Sequence, residues 1–428
     1  MTICNSIQIS DIRYLNVFKR ESVPMLPGLA WKNIWRNKRR SLIMIAAIMV
    51  GLWGGLFAAG IFTGMYDSIV STSINRDLGH IQIHAPGFRE ERLLAMSLAS
   101  PDSLEDAARA LPGVTGVSPR MIVDGMASST VTATGVRIIG IDPAKERRTT
   151  AIAERVKEGS FFEGPERLPI LVGKKLAEKL GLRMRGKLVL SFQQRDGTIM
   201  YGAFRVAGIF NTESTPFDGT TVLVLHTDLA GLLGDHPVHE IAVRLATNDS
   251  LFSVQTHLAA RAPGACVETW KELAPELKLS AESADVTAAI FLGIILLALL
   301  FGVTNTMLMS VLDRVREFGM LMAVGMKRRR LFGMIMLETL FLSLTGSLAG
   351  TALGALTLAW VGQSGIDLAW FSEGLTMYGM SSMLYPSVHA VLYPTLGAMV
   401  IVASVLAALY PATKAVRLVP SAALSTFG

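Results

Sequence analysis

Few residues of this sequence have types and spacing that could perform chemistry. The segment GLRMRGKL (181–188) matches the first seven positions of a phosphate-binding P-loop, but Leu188 stands where a Ser or Thr hydroxyl would bind magnesium. We therefore interpret it as a tight turn before a strand. His80 and His84 share one face of a predicted strand, with Cα atoms about 13 Å apart, too far to hold one metal ion without further ligands. The sequence predicts no catalytic residue, metal site or cofactor in this chain.

The most informative charges lie in one short segment, DRVREFGMLMAVGMKRRR (313–330). It holds six Lys or Arg against two acids, and its start alternates acidic and basic residues. It is too short and too apolar to be a catalytic domain, but a basic helix of this kind can dock into a groove of a partner protein. The candidate docking residues are Asp313, Arg314, Arg316, Glu317, Gly319, Ala323 and Gly325. The alternative is an ordinary charged loop beside a membrane span.

The sequence contains four stretches that are apolar enough to span a membrane, which takes about 20 residues. They are residues 41–66, 287–312, 331–360 and 392–413. The composition agrees, because only 17% of the chain is charged, whereas soluble domains carry about 25%. Glu338 is the only acid within the four stretches. It lies about two helical turns from Arg330, and we expect it to snorkel toward, or pair with, the basic residues that border the spans.

The distribution of Lys and Arg predicts the orientation of these spans. Residues 1–40 hold eight Lys or Arg, the segment 313–330 holds six, the tail 414–428 holds two, and the loop 361–391 holds none. Basic loops remain in the cytoplasm, so we expect both termini and 313–330 there. The net charges of 1–40, 313–330 and 414–428 are +6, +4 and +2, or +12 together. The whole chain has a net charge of +6, so the rest of it carries −6. Anionic lipid rather than nucleic acid is the expected counterpart.

The predicted layout places one large domain outside the cytoplasm. The segments are a cytoplasmic N-terminal segment with an interfacial helix (1–40), span one (41–66), the domain (67–286), span two (287–312), a cytoplasmic coupling loop (313–330), span three (331–360), an outer loop (361–391), span four (392–413) and a cytoplasmic tail (414–428). Strand-like and helix-like pieces alternate in the domain, which predicts an α+β fold. Its middle, about 142–230, is interpreted as an insertion into an outer layer formed by 76–141 and 231–280.

Glycines four residues apart occur in two of the spans. Such spacing lets helices approach closely. The candidate packing residues are Gly51 and Gly55 in span one, and Gly346, Gly350 and Gly354 in span three. For the span-three ladder we favour packing within the chain over a seam between two chains.

The loop and its surroundings resemble the FtsX/MacB-type permeases of ABC transporters. The family pattern N-T-M…V-x-E-R-x-R-E-[IF]-G…A-x-G is matched at Asn305, Arg314, Arg316, Glu317, Gly319, Ala323 and Gly325, with Asp313 in place of the usual Glu. WKNIWRNKRR (31–40) and YPATKAVRLVPSAAL (410–424) resemble the family's terminal segments. GHIQIHAPGF (79–88) is most similar to the lipoprotein-releasing LolC/LolE group.

This resemblance implies a transport subunit that works by mechanotransmission. Spans one and two would continue as stalks to a periplasmic MacB-like core domain. Two permease chains, identical or homologous, would pair with a cytoplasmic ATPase dimer that binds ATP and magnesium. The chain itself has no Walker A motif in a cytoplasmic segment, so we expect it not to hydrolyse ATP. The implied location is the bacterial inner membrane.

If the similarity to the Lol group holds, spans one and two enclose an apolar substrate cavity. The candidate lining residues are Phe57, Phe62, Met65, Phe291 and Met307. The alternative is that these side chains face lipid.

Three functional interpretations follow. The first is extraction of lipoproteins or other lipid-linked substrates, which a periplasmic carrier would receive. The second is MacB-like export of peptides or small molecules through an adaptor. The third is FtsX-like signalling to a periplasmic hydrolase. A domain of roughly 220 residues favours the first two, because FtsX-like domains are smaller. The spans contain few charges, which argues against a hydrophilic channel.

Overall fold

A computed structural model describes residues 25–36, 38–377 and 379–417; the predicted N-terminal segment before residue 25 and the tail beyond residue 417 lie outside the described residues. The described chain separates into two units. The membrane unit comprises residues up to Gly64, Ala284–Gly365 and residues from Tyr385 onward. The extramembrane unit comprises Met65–Ser283 and Ile366–Leu384.

The helices and strands are numbered in chain order. The α-helices are α1 (Met25–Arg36), α2 (Lys38–Ser73), α3 (Phe88–Glu91), α4 (Pro101–Arg109), α5 (Pro143–Thr149), α6 (Lys174–Leu180), α7 (Thr215–Thr220), α8 (His226–Leu233), α9 (Leu251–Arg261), α10 (Trp270–Leu273), α11 (Pro275–Asp313), α12 (Val315–Ala323), α13 (Arg328–Ser364), α14 (Ser372–Met377) and α15 (Leu392–Arg417). The strands are β1 (Ile81–His84), β2 (Val114–Ser128), β3 (Ala133–Ile141), β4 (Val156–Gly159), β5 (Pro169–Gly173), β6 (Lys187–Gln193), β7 (Ile199–Phe210), β8 (Thr221–Leu225), β9 (Glu240–Leu245), β10 (Cys266–Thr269), β11 (Ile366–Asp367) and β12 (Met383–Leu384).

Four helices of the described chain are long and apolar enough to cross a membrane: α2, α11, α13 and α15. The predicted four-span membrane protein is therefore confirmed. Helices α2 and α11 are longer than the apolar stretches 41–66 and 287–312. The prediction ended these two spans at the first charge, whereas a helix continues through polar residues as long as its backbone hydrogen bonds form. Helix α2 continues further as a π-helical turn, Ile74–Leu78.

The glycines of α13 pack directly against α2. A Cβ added at Gly346 would lie 2.9 Å from Ile48 Cβ, and one at Gly350 would lie 2.8 Å from the carbonyl oxygen of Met49. A Cβ added at Gly354 would lie 2.7 Å from Leu56 Cδ1. The ladder therefore packs within the chain, because only hydrogen fits between these two backbones.

The glycines of α2 face a different neighbour. A Cβ at Gly51 would lie 2.7 Å from the side chain of Leu299, and one at Gly55 would lie 3.6 Å from Leu292, both on α11. Helix α2 thus packs between α11 and α13.

The extramembrane unit is built on one ten-stranded mixed sheet, which confirms the predicted α+β class. Its strand order is β10-β1-β9-β2-β3-β8-β5-β7-β4, and β6 pairs with β2 and β7. The residue pattern predicts strands at 80–85, 136–141, 187–192, 204–210, 221–226 and 240–246, and these correspond to β1, β3, β6, β7, β8 and β9. Strands β2, β4, β5 and β10 were not predicted. The sequence PGVTG (112–116) predicts a turn, but β2 begins inside it, at Val114.

Strand β2 divides the sheet into two parts. Its first half, Val114–Arg120, pairs with β9, and its second half, Met121–Ser128, pairs with β3. Strand β3 in turn pairs in parallel with β8. The predicted start of the insertion at residue 142 is therefore wrong: β3 belongs to the inserted part, which begins within β2. The boundary therefore lies inside one strand rather than at a loop.

A buried arginine stands where the two parts meet. Arg120 donates to Glu146 (Nη2 to Oε1, 2.7 Å), Glu240 (Nη1 to Oε1, 2.7 Å) and the carbonyl oxygen of Asp77 (2.6 Å). Burial alone would raise the pKa of the Glu146 carboxyl, but Arg120 outweighs burial and lowers this pKa. The guanidinium therefore joins β2, α5, β9 and the π-helical turn.

Candidate coupling site

The predicted coupling loop folds as a short helix between two spans. Helix α11 ends at Asp313, and α12 follows after one residue, Arg314. Gly325 has φ +100° and donates its N–H to the carbonyl oxygen of Met322 at 3.1 Å. A left-handed residue after the last turn ends a helix and favours glycine. Gly325 therefore turns the chain toward α13.

Arg314 is the centre of the site. It is 5% exposed, and its Nη1 donates to Glu338 on α13 at 3.0 Å and 3.3 Å. Its Nε donates to Glu317 on α12 at 3.0 Å, and its guanidinium carbon lies 5.1 Å from the ring centre of Phe318. One side chain thus fastens α12 to span α13.

Two further arginines complete the cluster. Arg40 of α2 lies 3.9 Å from Glu338 and donates to the Ser310 hydroxyl of α11. Arg36 of α1 forms an ion pair with Glu317. Burial alone would raise the pKa of the Glu317 carboxyl, but hydrogen bonds from Arg314 and Arg36 outweigh it and lower this pKa. We call these five charged residues, Arg36, Arg40, Arg314, Glu317 and Glu338, the arginine cluster.

Only part of the predicted site belongs to the cluster. Gly319 is buried, whereas Asp313, Arg316, Ala323 and Gly325 are exposed. Glu338 pairs with basic residues that border the spans, as predicted, and its partners are Arg314 and Arg40.

Sequence reasoning missed Arg36, Arg40 and Ser310. The signal that could have led to the arginines was Glu338 itself, because an acid within a span needs a cation within reach.

The outer side of α12 presents apolar and basic groups. Met320 is 54% exposed and Val324 is 89% exposed, one helical turn apart. Residues 327–330 follow as four exposed basic residues. Helix α12 is thus held on its inner side by the buried Arg314–Glu338 ion pair, and its outer side presents the apolar and basic groups that a partner protein could contact.

The candidate cavity residues occupy different environments. Phe62 and Phe291 are in contact, with ring centres 5.2 Å apart, and Phe291 is 46% exposed. Phe57 stacks on Trp53 with ring centres 6.0 Å apart. Met65 is half-buried. Met307 is 2% exposed in the core of the membrane unit, so the cavity prediction does not extend to it.

The P-loop-like and histidine segments have structural roles. Gly181, with φ +63°, ends α6, and Leu188 is fully buried in β6, so 181–188 forms a turn and the start of that strand. The Nδ1 of His80 accepts the N–H of Leu245 at 3.2 Å, and burial lowers the pKa of His80 to about 4. Within the described ranges, no group of three or more His, Cys, Asp or Glu could hold a metal ion.

Comparisons with known proteins agree with this architecture. The family model "MacB-like periplasmic core domain" matches residues 41–261, just over half of the chain, and "FtsX-like permease C-terminal" matches residues 289–420. The lipoprotein-releasing system transmembrane protein LolC of Xylella fastidiosa is 25% identical, over 67% of this chain and 71% of that protein. The macrolide export ATP-binding/permease protein MacB of Agrobacterium fabrum is 24% identical, over 76% of this chain and 51% of that protein.

Solved structures give more distant matches. The extracellular domain of the transporter YknZ from Gram-positive bacteria covers 44% of this chain at 15% identity, with a TM-score of 0.33. The periplasmic region of MacB from Actinobacillus actinomycetemcomitans covers 46% of this chain at 10% identity, with a TM-score of 0.31.

Proposed function

The chain belongs to the FtsX/MacB superfamily of ABC transporter permeases, and we propose that it couples ATP hydrolysis by a separate cytoplasmic ATPase dimer to movements of its extramembrane domain. The observation that carries this proposal is the arginine cluster. It fastens α12 to α13 through a buried ion pair and to α1 through Glu317. A push on the exposed Met320 and Val324 would reach the spans through these contacts.

The proposed topology follows the basic residues. Helix α12 and residues 327–330 would face the cytoplasm, where the ATPase binds, and the extramembrane unit would lie in the periplasm of a bacterium. The match to a periplasmic core family supports this orientation. A second permease chain would complete the transporter.

For the substrate, we propose lipoproteins or other lipid-linked molecules taken from the outer leaflet of the inner membrane. Two features support this choice: the relatives named LolC, and an aromatic contact between spans at Phe62 and Phe291. A lipid anchor could lie against such rings, whereas a hydrophilic substrate would need a polar path. A MacB-like export of peptides or small molecules is the second candidate, supported by the relatives named MacB.

The test is to identify what the transporter carries. The permease and its ATPase would be purified in native lipid without ATP, and bound molecules would be identified by mass spectrometry. We expect acylated polypeptides to co-purify with the unchanged transporter. A Phe62→Asp, Phe291→Asp double variant should bind a smaller amount of them. Phe252→Asp, at an aromatic residue that is 79% exposed in the extramembrane unit, is the matched control and should retain them. Unacylated peptides or small molecules would favour MacB-like export, and no bound cargo in any form would contradict transport.

A further inference from the structure

The segment that links α13 to α15 is folded onto the extramembrane unit. In this linking segment (residues 366–384), β11 pairs with β12 through Ile366 and Leu384, and Leu384 is 5% exposed. Met380 is also buried, at 8% exposure. The hydroxyl groups of Thr376 and of Thr215, on α7, are 3.4 Å apart. One side of the segment therefore packs on the inserted part of the sheet.

The other side of the linking segment is apolar and uncovered. Trp370 is 80% exposed, Phe371 is 57% exposed and Met377 is 69% exposed. The ring centres of Trp370 and Phe371 are 4.3 Å apart, so these two rings form one continuous surface. Met377 lies in the same segment, and three large apolar side chains exposed within eight residues indicate a contact surface. We call these three residues the aromatic patch.

The position of the aromatic patch in the chain indicates what covers it. Trp370 lies six residues beyond the end of α13 at Ser364, and six residues reach at most about 20 Å. Both neighbouring helices are spans, so the patch cannot move far from the bilayer surface. Residues 361–391 contain no Lys or Arg and only two acids. Tryptophan is enriched at the membrane–water interface.

Flanking aromatic residues extend the same pattern. Trp360, in the last turns of α13, is 73% exposed, and Tyr385, just after the linking segment, is 50% exposed. Protein interfaces are enriched in arginine, and residues 361–391 contain none.

We propose that the aromatic patch inserts into the boundary between headgroups and acyl chains of the bilayer. The linking segment would then hold α7, and with it the inserted part of the sheet, at the membrane surface. The anchoring is by burial of apolar area and involves no basic residue, so it does not depend on anionic lipid.

Depth measurements with spin labels test this directly. Single cysteines at Trp370→Cys and Met377→Cys would be placed in the full-length chain with both native cysteines replaced, labelled with a nitroxide and reconstituted in phosphatidylcholine vesicles. Phe252→Cys, at an exposed aromatic residue of α9 in the same unit, is the matched control. Collisions of the label with oxygen report apolar surroundings, and collisions with a nickel chelate report water.

We expect labels at 370 and 377 to collide more with oxygen than with the nickel chelate, and the label at 252 to show the reverse. The two labels test the same surface, so a local defect at one position leaves the other as evidence. Water-like ratios at both positions would overturn the proposal. Shielding of both labels from both reagents would also overturn it, because it would mean that protein covers the patch.

Discussion

At the scale of single residues, the Arg314–Glu338 ion pair and the Arg36–Glu317 ion pair differ in how far they are buried. The side chains of Arg314 and Glu338 are 6% and 4% exposed, whereas those of Arg36 and Glu317 are 54% and 40% exposed. Removing one partner of a buried pair costs about 3–5 kcal/mol, but an exposed pair contributes at most about 1 kcal/mol. Arg314–Glu338 therefore maintains the fold, and Glu317 can be changed without unfolding the chain.

Asp218 gives a prediction on pH dependence. Its carboxyl accepts the N–H of Thr212 at 2.9 Å and is 1% exposed. Burial raises the pKa of Asp218 to about 7, although hydrogen bonds from Thr212 oppose this. When the pKa of a carboxyl is higher in the folded state than in the unfolded state, the free energy of unfolding of the protein falls as pH rises. For Asp218 this fall lies between about pH 4 and pH 7.

The variant Asp218→Asn imitates the protonated acid, and we expect it to remove this loss. One pKa unit corresponds to about 1.4 kcal/mol, so a gain on the order of 1–3 kcal/mol at pH 8 is expected, with little change at pH 4. Thermal unfolding of the full-length protein at both values measures it. The exposed Asp249→Asn is the control. Equal effects of Asp218→Asn at pH 4 and pH 8 would refute the shifted pKa.

The sequence could predict some of these residues and not others. Glu338 was expected to find a basic partner because it is the only acid in the spans, and the structure confirms this pairing. Arg36 and Arg40 were seen only as part of a basic flank, since pairing across four helices cannot be deduced from spacing along one. Asp218 carries no signal in sequence, because its burial depends on the packing of α7.

At the scale of elements, the glycine ladder of α13 sets the distance to α2. Larger side chains at these positions must push the helices apart, because the obstacle at Gly350 is a backbone oxygen that cannot rotate away. Overpacking of a core typically costs about 1–3 kcal/mol.

We therefore expect Gly350→Ala to destabilise the full-length chain by about that amount. Gly333→Ala, on the same helix with no atom within 4 Å of the added Cβ, should be neutral or slightly stabilising, because alanine favours helix. Chemical unfolding in detergent, followed by helical circular dichroism, compares the two. Equal stability of both variants would show that α13 does not pack closely on α2.

The elements themselves were predictable where one pattern prevailed. Apolar length identified all four spans, and short strand-like runs of apolar residues identified six strands. Strand β2 was missed because Gly116 and Pro119 interrupt it and read as turn signals. Tertiary pairing on both sides, with β9 and then with β3, overrides these local preferences.

At the scale of the whole molecule, the asymmetry of charge predicts which side of the membrane each loop occupies. We expect a cysteine at the exposed His389, between α13 and α15, to react with a membrane-impermeant thiol reagent in intact spheroplasts. A cysteine at the exposed Arg329 should react only after lysis. Both would be introduced into a chain without Cys4 and Cys266. The reverse labelling pattern would mean that the topology is inverted.

The central claim is that α12 transmits the work of an ATPase to this permease. Glu317→Lys places a cation beside Arg36 and Arg314 and so releases α12 from α1, while the buried Arg314–Glu338 pair retains the fold. Glu90→Lys, at an exposed acid of the extramembrane unit, is the control with the same change of charge.

The most direct measurement is the cargo released per ATP hydrolysed by the reconstituted permease–ATPase complex. For Glu317→Lys we expect this ratio to fall several-fold, or the ATPase to be lost from the complex in a pull-down, while Glu90→Lys behaves as the unchanged protein. A Glu317→Lys complex that retains its ATPase and releases cargo at the unchanged ratio would contradict the coupling role of this site.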